Sequence, residues 1–410
     1  MSPRPTILIV LSLLAALAAL PACKSKSNYA RPLAPGESAL RKLDEADWPD
    51  LSRVASMDDA FLRAVKRSLD WFDRPSTKQF YPLGGITHDQ ARATLYALPH
   101  IAWEAGSPEA FLAKLKQECD MYTSVGWDGE GTVLFTAYYT PIFAASRVRT
   151  GEFQYPLYRR PADLVADAVT GQVFGRKVGD QIVPYPPRIE LEATNLLSGR
   201  ELVYLRSRLD AYIVEVQGSA QLRMTDGATM RIGFAGANGH EYTSIRQLLI
   251  EDGKVDPDTA NLTTIREYFQ QNPRDLDRYI RRNDRFIFFT DYSGQEWPAG
   301  SLGVKVESMR SLATDKSVFP RGCVTLVDTM LGDAGGPAFK QWMLDQDTGG
   351  AIRAAGRADI YFGIGSGAES RAGRQIAEGR LYYLFLKPQR VEHWLGRMGG
   401  AAPATAGVSP

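Results

Sequence analysis

The chain has 410 residues, of which 44% are hydrophobic and 23% are charged, and its formal net charge is +1. This composition is typical of a globular protein and excludes a fully disordered or fibrous chain. The near-neutral charge, without a cluster of lysines and arginines, argues against a nucleic-acid-binding protein. Without its N-terminal signal, the chain is long enough for two domains of ordinary size.

Residues 1–23 have the pattern of a bacterial export signal. The apolar run Ile7–Leu20 is too short to span a membrane comfortably, and it ends in Leu-Pro-Ala-Cys, which resembles a lipobox. We therefore expect Cys23 to become the acylated first residue of a lipid-anchored protein. Lys24 resembles the sorting pattern of outer-membrane lipoproteins, which predicts a location on the periplasmic face. An ordinary secretory signal that happens to contain a cysteine is the alternative.

The segment after the signal predicts a tether followed by helices. Residues 24–40 are rich in Ser, Pro and Gly without periodicity, which is typical of a flexible linker. Three helices with apolar stripes follow, and we interpret these stripes as core. The N-terminal signals of these helices are Ser56 with Asp59, Thr87 with Gln90, and Ser107 with Pro108.

The middle of the chain has β character. The run Gly131–Pro141 is rich in β-branched and aromatic residues and predicts a strand that stops at proline. From about residue 143 to 240, short β-runs between Gly and Pro predict a small barrel or sandwich. Two of these runs, Ala211–Gln217 and Thr229–Phe234, are each predicted as a strand.

Helical patterns return at Ser244–Glu251 and from Thr263 to about Arg282, where Pro273 interrupts the second helix. Beyond them the predicted elements are three strands and a disordered tail at residues 397–410. The strands are predicted at Arg285–Thr290, Cys323–Val327 and Arg380–Lys387.

The stretch Asp347–Gly373 contains the residues best suited to catalysis. Asp347 and Asp359 lie twelve residues apart, each followed by Gly-rich backbone that a ligand can approach closely. Alternation around Asp359 predicts a half-buried strand with its carboxyl on the side opposite Ala358 and Ile360. A carboxyl group on a rigid strand suits a general acid. The residues alone leave open that both aspartates only form Asx-turns.

Other catalytic classes lack their motifs. An aspartic protease needs two Asp-Thr/Ser-Gly loops, and only Asp347–Gly349 has that order. There is no G-x-S-x-G motif, no phosphate loop and no Cys/His pair at a recognisable spacing. The four histidines lack metal-ligand spacing, so we expect no metal and no cofactor. Cys119 and Cys323 are able to form a disulfide in an oxidising periplasm or to remain buried thiols.

Seven ordered segments span most of the mature chain, from about residue 80 to 390. They are Phe135–Pro141, Gly151–Pro156, Val216–Ser219, Ala235–His240, Asn272–Pro273, Asp347–Ile352 and Ala358–Gly363. In their order and composition these segments resemble the membrane-bound lytic murein transglycosylases of the A type. The chain departs from that family at Ala137, where Gly is usual, and at Thr140, where many relatives carry Glu.

The resemblance implies a mainly-β fold with peripheral helices. It implies a double-psi β-barrel domain built from residues 41–142 and 294–396, and a second β-barrel domain inserted at residues 143–293. A deep groove between the two domains would take a glycan strand. The Gly/Pro-rich β texture that begins just after Pro141 agrees with such an insertion.

The resemblance also implies the reaction. Family members cut the β-1,4 bond between N-acetylmuramic acid and N-acetylglucosamine in peptidoglycan and form 1,6-anhydro-N-acetylmuramic acid. Asp359 is then the acid that protonates the leaving oxygen and the base that accepts the proton of the C6 hydroxyl. Asp347 is the second candidate, either for proton transfer or for orienting the Asp359 loop or the sugar.

Further residues are expected on the walls of the groove, where they would bind the substrate. They are Thr136, Tyr138, Gln217, Ser219 and Gly363. Packing of the two barrels against each other is the alternative role. For the whole protein, the alternatives are a non-catalytic peptidoglycan-binding lipoprotein and a hydrolase that adds water. Other cell-wall enzymes are possible partners.

Overall fold

The computed structural model describes residues 28–167, 170–257 and 259–399. The first strands, in chain order, are β1 (Leu40–Lys42), β2 (Cys119–Ser124), β3 (Val133–Thr140), β4 (Ile142–Ser146), β5 (Tyr155–Tyr158), β6 (Leu164–Ala166), β7 (Val173–Val178), β8 (Gln181–Val183) and β9 (Glu201–Leu205). The remaining strands are β10 (Ser219–Met224), β11 (Thr229–Ala237), β12 (Ile287–Asp291), β13 (Ser311–Ala313), β14 (Val324–Met330), β15 (Ala338–Asp347), β16 (Arg357–Ile364) and β17 (Ala377–Leu386).

The helices lie on the outside of the sheets or connect them. They are α1 (Asp59–Phe72), α2 (His88–Ala105), α3 (Pro108–Glu118), α4 (Arg188–Ala193), α5 (Arg208–Gln217), α6 (Ile245–Glu251), α7 (Leu262–Gln271), α8 (Leu276–Ile280), α9 (Ser366–Ala372) and α10 (Val391–Gly399). With sheets forming the centre, the predicted mainly-β class with peripheral helices is confirmed.

The larger sheet closes on itself. Strand β17 pairs with both β14 and β3, so that β3, β16, β13, β15, β14 and β17 form a six-stranded ring, extended at β17 by β2 and β1. Its strands come from two separate parts of the chain, residues 40–140 and 311–386. Helices α1, α2 and α3 share its apolar core. We call this unit the large ring; the double-psi crossing stays a prediction.

The second sheet is built entirely from the chain between β3 and β13. Its order is β12-β11-β10-β4-β9-β5, and a parallel bridge between Arg159 and Phe289 joins its two edges. A small sheet of β6, β7 and β8 is attached to it. We call this unit the insert. We propose that the large ring and the insert correspond to the two domains predicted at residues 41–142 with 294–396 and at 143–293.

The predicted helix starts are confirmed at two of three positions. The hydroxyl of Thr87 accepts the N–H of Gln90, and that of Ser107 accepts the N–H of Ala110. For α1 the prediction of Ser56 was wrong. The cap is Asp58, whose carboxylate accepts the Phe61 N–H, because that side chain is the one placed beside the first free donors of the helix.

The predicted strand Ala211–Gln217 was wrong, because this segment belongs to helix α5. Ser207 caps the helix by accepting the N–H of Asp210, and Gly218 ends it in a left-handed conformation with φ of 75°. Residues 211–215 are all buried, so the helix has apolar residues all round. A helix buried on every side loses the 3.6-residue periodicity by which a sequence distinguishes it from a strand.

Both chain ends depart from the predicted boundaries. Tyr29, placed in the predicted tether, packs edge-on against Trp127 with ring centroids 5.9 Å apart and donates a hydrogen bond to Glu378 at 2.7 Å. The part of the tether from residue 28 to 40 therefore lies against the large ring. At the other end, residues 397–399 belong to α10. The signal segment with Cys23 and residues 400–410 lie outside the described residues.

Cys119 and Cys323 are buried free thiols. The structure thus decides between the two states that the sequence left open, and neither cysteine contributes a covalent link.

Candidate active site

A groove runs between the large ring and the insert, with a volume of about 1440 Å³. One wall is formed by β3, β16 and the loop after Asp347, and the other by the end of α5 and the loop before α6. Four of the five predicted wall residues line it, namely Thr136, Tyr138, Gln217 and Ser219, and so do both candidate aspartates. The chain brings together side chains that are more than 200 positions apart in sequence.

Two parallel strands set the catalytic wall. In the register of β3 and β16, Asp359 lies opposite Thr136, and Tyr138 lies two pairs further on, opposite Tyr361. Side chains alternate across a strand, so Thr136, Tyr138 and Asp359 face the groove while Ala358 and Ile360 are fully buried in the core. The strand and the face that were predicted for Asp359 are both confirmed.

The two oxygens of the Asp359 carboxyl group have different surroundings. The Thr136 hydroxyl donates a short hydrogen bond to Oδ1, and Nε of Arg357 lies 3.5 Å from the same oxygen. Arg357 also donates to the Thr136 hydroxyl at 3.1 Å and to the Ala351 carbonyl at 3.2 Å. Within the described chain, Oδ2 has no protein hydrogen bond. One oxygen is therefore fixed and the other is left for a ligand.

Asp347, at the end of β15, is held at both oxygens. Its Oδ1 accepts the backbone N–H groups of Ser301 and Thr348, both at 2.8 Å, and its Oδ2 accepts the Tyr138 hydroxyl at 2.9 Å. Burial raises the pKa of Asp347, and these hydrogen bonds oppose the rise. Such a carboxyl group is suited to hold its neighbours in place.

A glycine makes the close packing around Asp347 possible. A Cβ on Gly300 would lie 3.1 Å from Cγ of Asp347 and 2.7 Å from the Gln346 carbonyl oxygen. Only a bare backbone lets the 300–301 segment approach this closely. The Asx-turns left open by the sequence are not formed, because neither aspartate accepts the N–H of the second residue after it; Asp359 bonds to a side chain, and Asp347 to Ser301 and its immediate neighbour.

The Tyr138 hydroxyl remains a neutral donor. Burial raises its pKa well above the ordinary value, and the negative charge of Asp347 acts in the same direction. Its ring lies 5.0 Å from that of Tyr361, tilted by 43°. The Tyr138–Tyr361 ring pair therefore lies next to the two carboxyl groups.

Comparison with known proteins agrees with this architecture. A model described as the MltA specific insert domain matches residues 134–290, and a 3D domain model matches residues 310–385. Membrane-bound lytic murein transglycosylase A of Escherichia coli (strain K12) is 34% identical over 275 residues, which are 66% of this chain and 70% of that protein. The chain belongs to the MltA family. The Vibrio cholerae homologue is 29% identical over 268 residues, which cover 64% of this chain and 68% of its own.

Solved structures of family members are similar to this one. A membrane-bound lytic murein transglycosylase from Agrobacterium tumefaciens has a TM-score of 0.71 and 26% identity, with 87% of this chain and 99% of that chain covered. E. coli MltA with bound chitohexaose has a TM-score of 0.65 and 26% identity, with 88% and 96% covered. The fold of this chain is thus similar to that of solved MltA proteins.

Gln217 and Ser219 join the insert to the large ring. The amide oxygen of Gln217 accepts the Tyr139 N–H at 3.0 Å, and the Ser219 hydroxyl lies 3.1 Å from that of Thr140. The Thr140 hydroxyl in turn lies 3.0 Å from that of Tyr361. These two residues therefore connect the two units as well as lining the groove.

Gly363 lies elsewhere. It is absent from the groove lining, and it adopts φ of +105° where a Cβ would come within 2.9 Å of the Ser308 hydroxyl oxygen. Its observed role is to let β16 pass Ser308 closely. A direct contact between Gly363 and the substrate stays a prediction.

Sequence analysis missed several polar residues of the site. Arg357 had a usable signal, because it lies two positions before Asp359 on the same strand face. Tyr242, Arg246 and Arg285 had none. Tyr242 lies in the loop before α6, Arg246 lies in α6 and Arg285 precedes β12, and only the fold brings them to the groove.

Among the residues that the structure describes, no group of three or more His, Cys, Asp or Glu side chains is arranged to hold a metal ion. Over the same residues, none of the helices has the length and apolar character needed to cross a membrane.

Proposed function

We propose that this member of the MltA family cleaves the β-1,4 bond between N-acetylmuramic acid and N-acetylglucosamine and closes a 1,6-anhydro ring, with Asp359 as the catalytic residue. Family membership makes the protein a murein lytic transglycosylase; the proposal concerns how its residues perform the reaction. The observation that carries it is the asymmetry of Asp359, whose Oδ1 is fixed by Thr136 and Arg357 while Oδ2 faces the groove without a protein partner.

One carboxyl group suffices for both proton transfers. As an acid, Asp359 donates its proton to the glycosidic oxygen while the bond from C1 to that oxygen breaks. The C6 hydroxyl of the same muramic acid then attacks C1, and the Asp359 carboxylate accepts its proton. The enzyme ends in its starting protonation state, and no water is consumed. An intramolecular nucleophile has a high effective molarity, so no second group is needed to position a water.

The state of Asp347 favours this route over hydrolysis. Glycosidases that use water have a second carboxylate that acts as nucleophile or as base. Both oxygens of Asp347 accept hydrogen bonds from Ser301, Thr348 and Tyr138, so three of its four acceptor sites already hold protein groups in place. We assign Asp347 as a positioning residue that holds Tyr138 and the 300–301 segment at the groove.

The remaining wall residues fit a sugar ligand. The partly exposed ring of Tyr138 offers a surface against which a pyranose ring packs, and the buried ring of Tyr361 lies against it. The Gln217 amide NH₂ has no hydrogen-bond partner in the described chain, which leaves it for an N-acetyl or hydroxyl oxygen. The relative solved with chitohexaose supports a glycan strand as the occupant of the groove.

For the location, the curated relatives are named membrane-bound. We propose that acyl chains on Cys23 anchor this protein to the outer membrane, facing the periplasm. Loss of the protein from the membrane fraction on Cys23→Ala tests the anchor, and unchanged association would contradict it. Contacts with other cell-wall enzymes stay a prediction.

Digestion of purified sacculi tests the reaction. We expect soluble muropeptides that end in anhydro-muramic acid when the products are weighed by mass spectrometry. Products heavier by one water would indicate a hydrolase. A protein that pellets with sacculi and releases nothing would indicate the non-catalytic binder.

A further inference from the structure

The groove contains three arginines that form no ion pair with a carboxylate of the described chain. Arg246, Arg285 and Arg353 all line it, and in the described parts of the chain none has a carboxylate oxygen within the 4.0 Å of an ion pair. Neighbouring arginines of the insert are neutralised: Arg188 pairs with Glu215, and Arg208 with Glu192. The positive charges of these three groove arginines are therefore not neutralised by ion pairs, whereas those of Arg188 and Arg208 are.

Arg285 lies directly against the loop that follows Asp347. A Cβ on Gly350 would come within 3.1 Å of Nε of Arg285 and 3.5 Å of Cζ, so the glycine is what leaves room for the guanidinium. Nη1 donates to the His240 carbonyl at 3.2 Å, which fixes the side chain without neutralising it. Arg353, three residues after Gly350, is close enough that its charge adds to burial in lowering the pKa of Arg285. The charge of Glu241, which also lines the groove without an ion pair to Arg285, opposes the shift.

Arg246 is held in the same manner. Nε donates to the Ala260 carbonyl at 2.8 Å and Nη2 to the Pro257 carbonyl at 3.1 Å. Burial lowers the pKa of Arg246, and the charge of Arg357 acts in the same direction. A guanidinium remains charged despite such shifts. Uncompensated cations that backbone carbonyls hold in a groove are complementary to an anionic ligand.

The substrate of the proposed reaction has few negatively charged groups. N-acetyl and hydroxyl groups make the sugar backbone neutral, and its negative charges are carboxylates on the lactyl group of muramic acid or on the peptide stem attached there. The planar fork of an arginine binds a carboxylate with two parallel hydrogen bonds.

We propose that Arg285, with Arg353 and Arg246, forms a subsite for the carboxylate that muramic acid bears on its lactyl group or its peptide stem. This inference rests on the proposed function, because it takes a glycan strand of peptidoglycan as the occupant of the groove. The subsite explains how one groove distinguishes muramic acid positions, which bear an acid, from N-acetylglucosamine positions, which bear none.

The test compares three ligands on the full-length protein. They are glycan strands with peptide stems, the same strands after an amidase has removed the stems and left the lactyl carboxylates, and neutral chitohexaose. The variants are Arg285→Gln, Arg285→Lys and Arg246→Gln. Arg147→Gln is the matched control, because Arg147 is a half-exposed arginine near Asp226 on the insert and outside the groove lining.

For Arg285→Gln we expect kcat/KM on stem-bearing strands to fall about tenfold or more, which is the loss of one charge-assisted contact. Most of that loss should be an increase in KM. Chitohexaose affinity should stay unchanged, and Arg285→Lys should recover part of the activity. A loss restricted to stem-bearing strands assigns the carboxylate to the peptide. A loss restricted to stripped strands assigns it to the lactyl group, whose carboxyl is free only once the stem has been removed, and a loss on both shows that the subsite accepts either carboxylate.

Two results would overturn the subsite. One is an Arg285→Gln protein as active as Arg147→Gln on both kinds of strand, and the other is weakened chitohexaose binding, which would place the guanidinium on the sugar backbone. Failure of the proposed function looks different, because the unaltered protein would then release no anhydro-muropeptides from any strand.

Discussion

The two walls of the groove fix their charged side chains in different ways. On the large ring, Asp347 on β15 and Asp359 on β16 lie on either side of β13, and hydroxyl and N–H donors fix them. On the facing side, Arg246 and Arg285 belong to the insert, and backbone carbonyls fix them. Strands restrict a side chain more tightly than loops do, and Arg285 lies in the loop before β12. The difference suggests that the large ring performs the chemistry and that the insert selects the substrate.

The substitution Asp359→Asn tests this division most severely. General acid–base catalysis contributes about 10² to 10⁴ in rate, and here one carboxyl group serves both steps, so we expect kcat to fall by at least about 10³. Folding and chitohexaose affinity should persist, because Oδ2 has no structural partner. Steady-state release of anhydro-muropeptides measures the loss.

Asp180→Asn is the matched control, since Asp180 is an exposed aspartate of the insert outside the groove. Turnover of Asp359→Asn at the rate of this control would refute the assignment.

A smaller loss is expected for Asp347→Asn. The asparagine oxygen still accepts the backbone N–H groups. The NH₂ group that replaces Oδ2, however, cannot accept the hydrogen bond that the Tyr138 hydroxyl donates. A positioning residue moved by a fraction of an ångström costs about tenfold to a hundredfold in kcat. KM for stem-bearing strands should change little, because the insert wall is untouched. A loss as large as that of Asp359→Asn would instead give Asp347 a direct part in proton transfer.

Asp347→Asn is also expected to change how the free energy of unfolding depends on pH. Burial raises the pKa of Asp347 above its ordinary value of 3.8, so its contribution to folding is fully present below that value and is lost as the pH rises through the folded-state pKa. Asp347→Asn lacks this titration. We therefore expect the unaltered protein to lose stability relative to Asp347→Asn as the pH increases from 3 upward. Urea denaturation of both proteins measures the difference between their free energies of unfolding. A difference that does not vary with pH would contradict the raised pKa.

The weakest effect on chemistry is expected at the junction of the two walls. Gln217→Ala removes the acceptor of the Tyr139 N–H and should lower the free energy of unfolding by about 1–3 kcal/mol, the cost of an unsatisfied buried donor. Activity should fall only a few-fold, through KM. Ser219→Ala is a milder companion, because Thr140 keeps its contact with Tyr361. A large loss of kcat in Gln217→Ala at unchanged stability would place this residue among the catalytic groups.

The catalytic wall was accessible to sequence analysis and the insert wall was not. Alternation around Asp359 shows its strand and face, because the period of a strand is local. By contrast, the guanidinium of Arg285 fits into the groove because Gly350 has no side chain. Gly350 lies 65 positions later in the sequence and contacts Arg285 only in the fold. Helix α5 was mistaken for a strand because burial on every side removes its periodicity. Local patterns thus predict single elements, and contacts between the ring and the insert require the structure.

Digestion of stem-bearing glycan strands in water labelled with heavy oxygen tests the central claim most directly. If the C6 hydroxyl is the nucleophile and Asp359 serves as acid and then base, the released anhydro-muropeptides contain no label. Products that carry one heavy oxygen at C1 of muramic acid would show that water attacks, and a single carboxyl group with an internal nucleophile would no longer describe this groove.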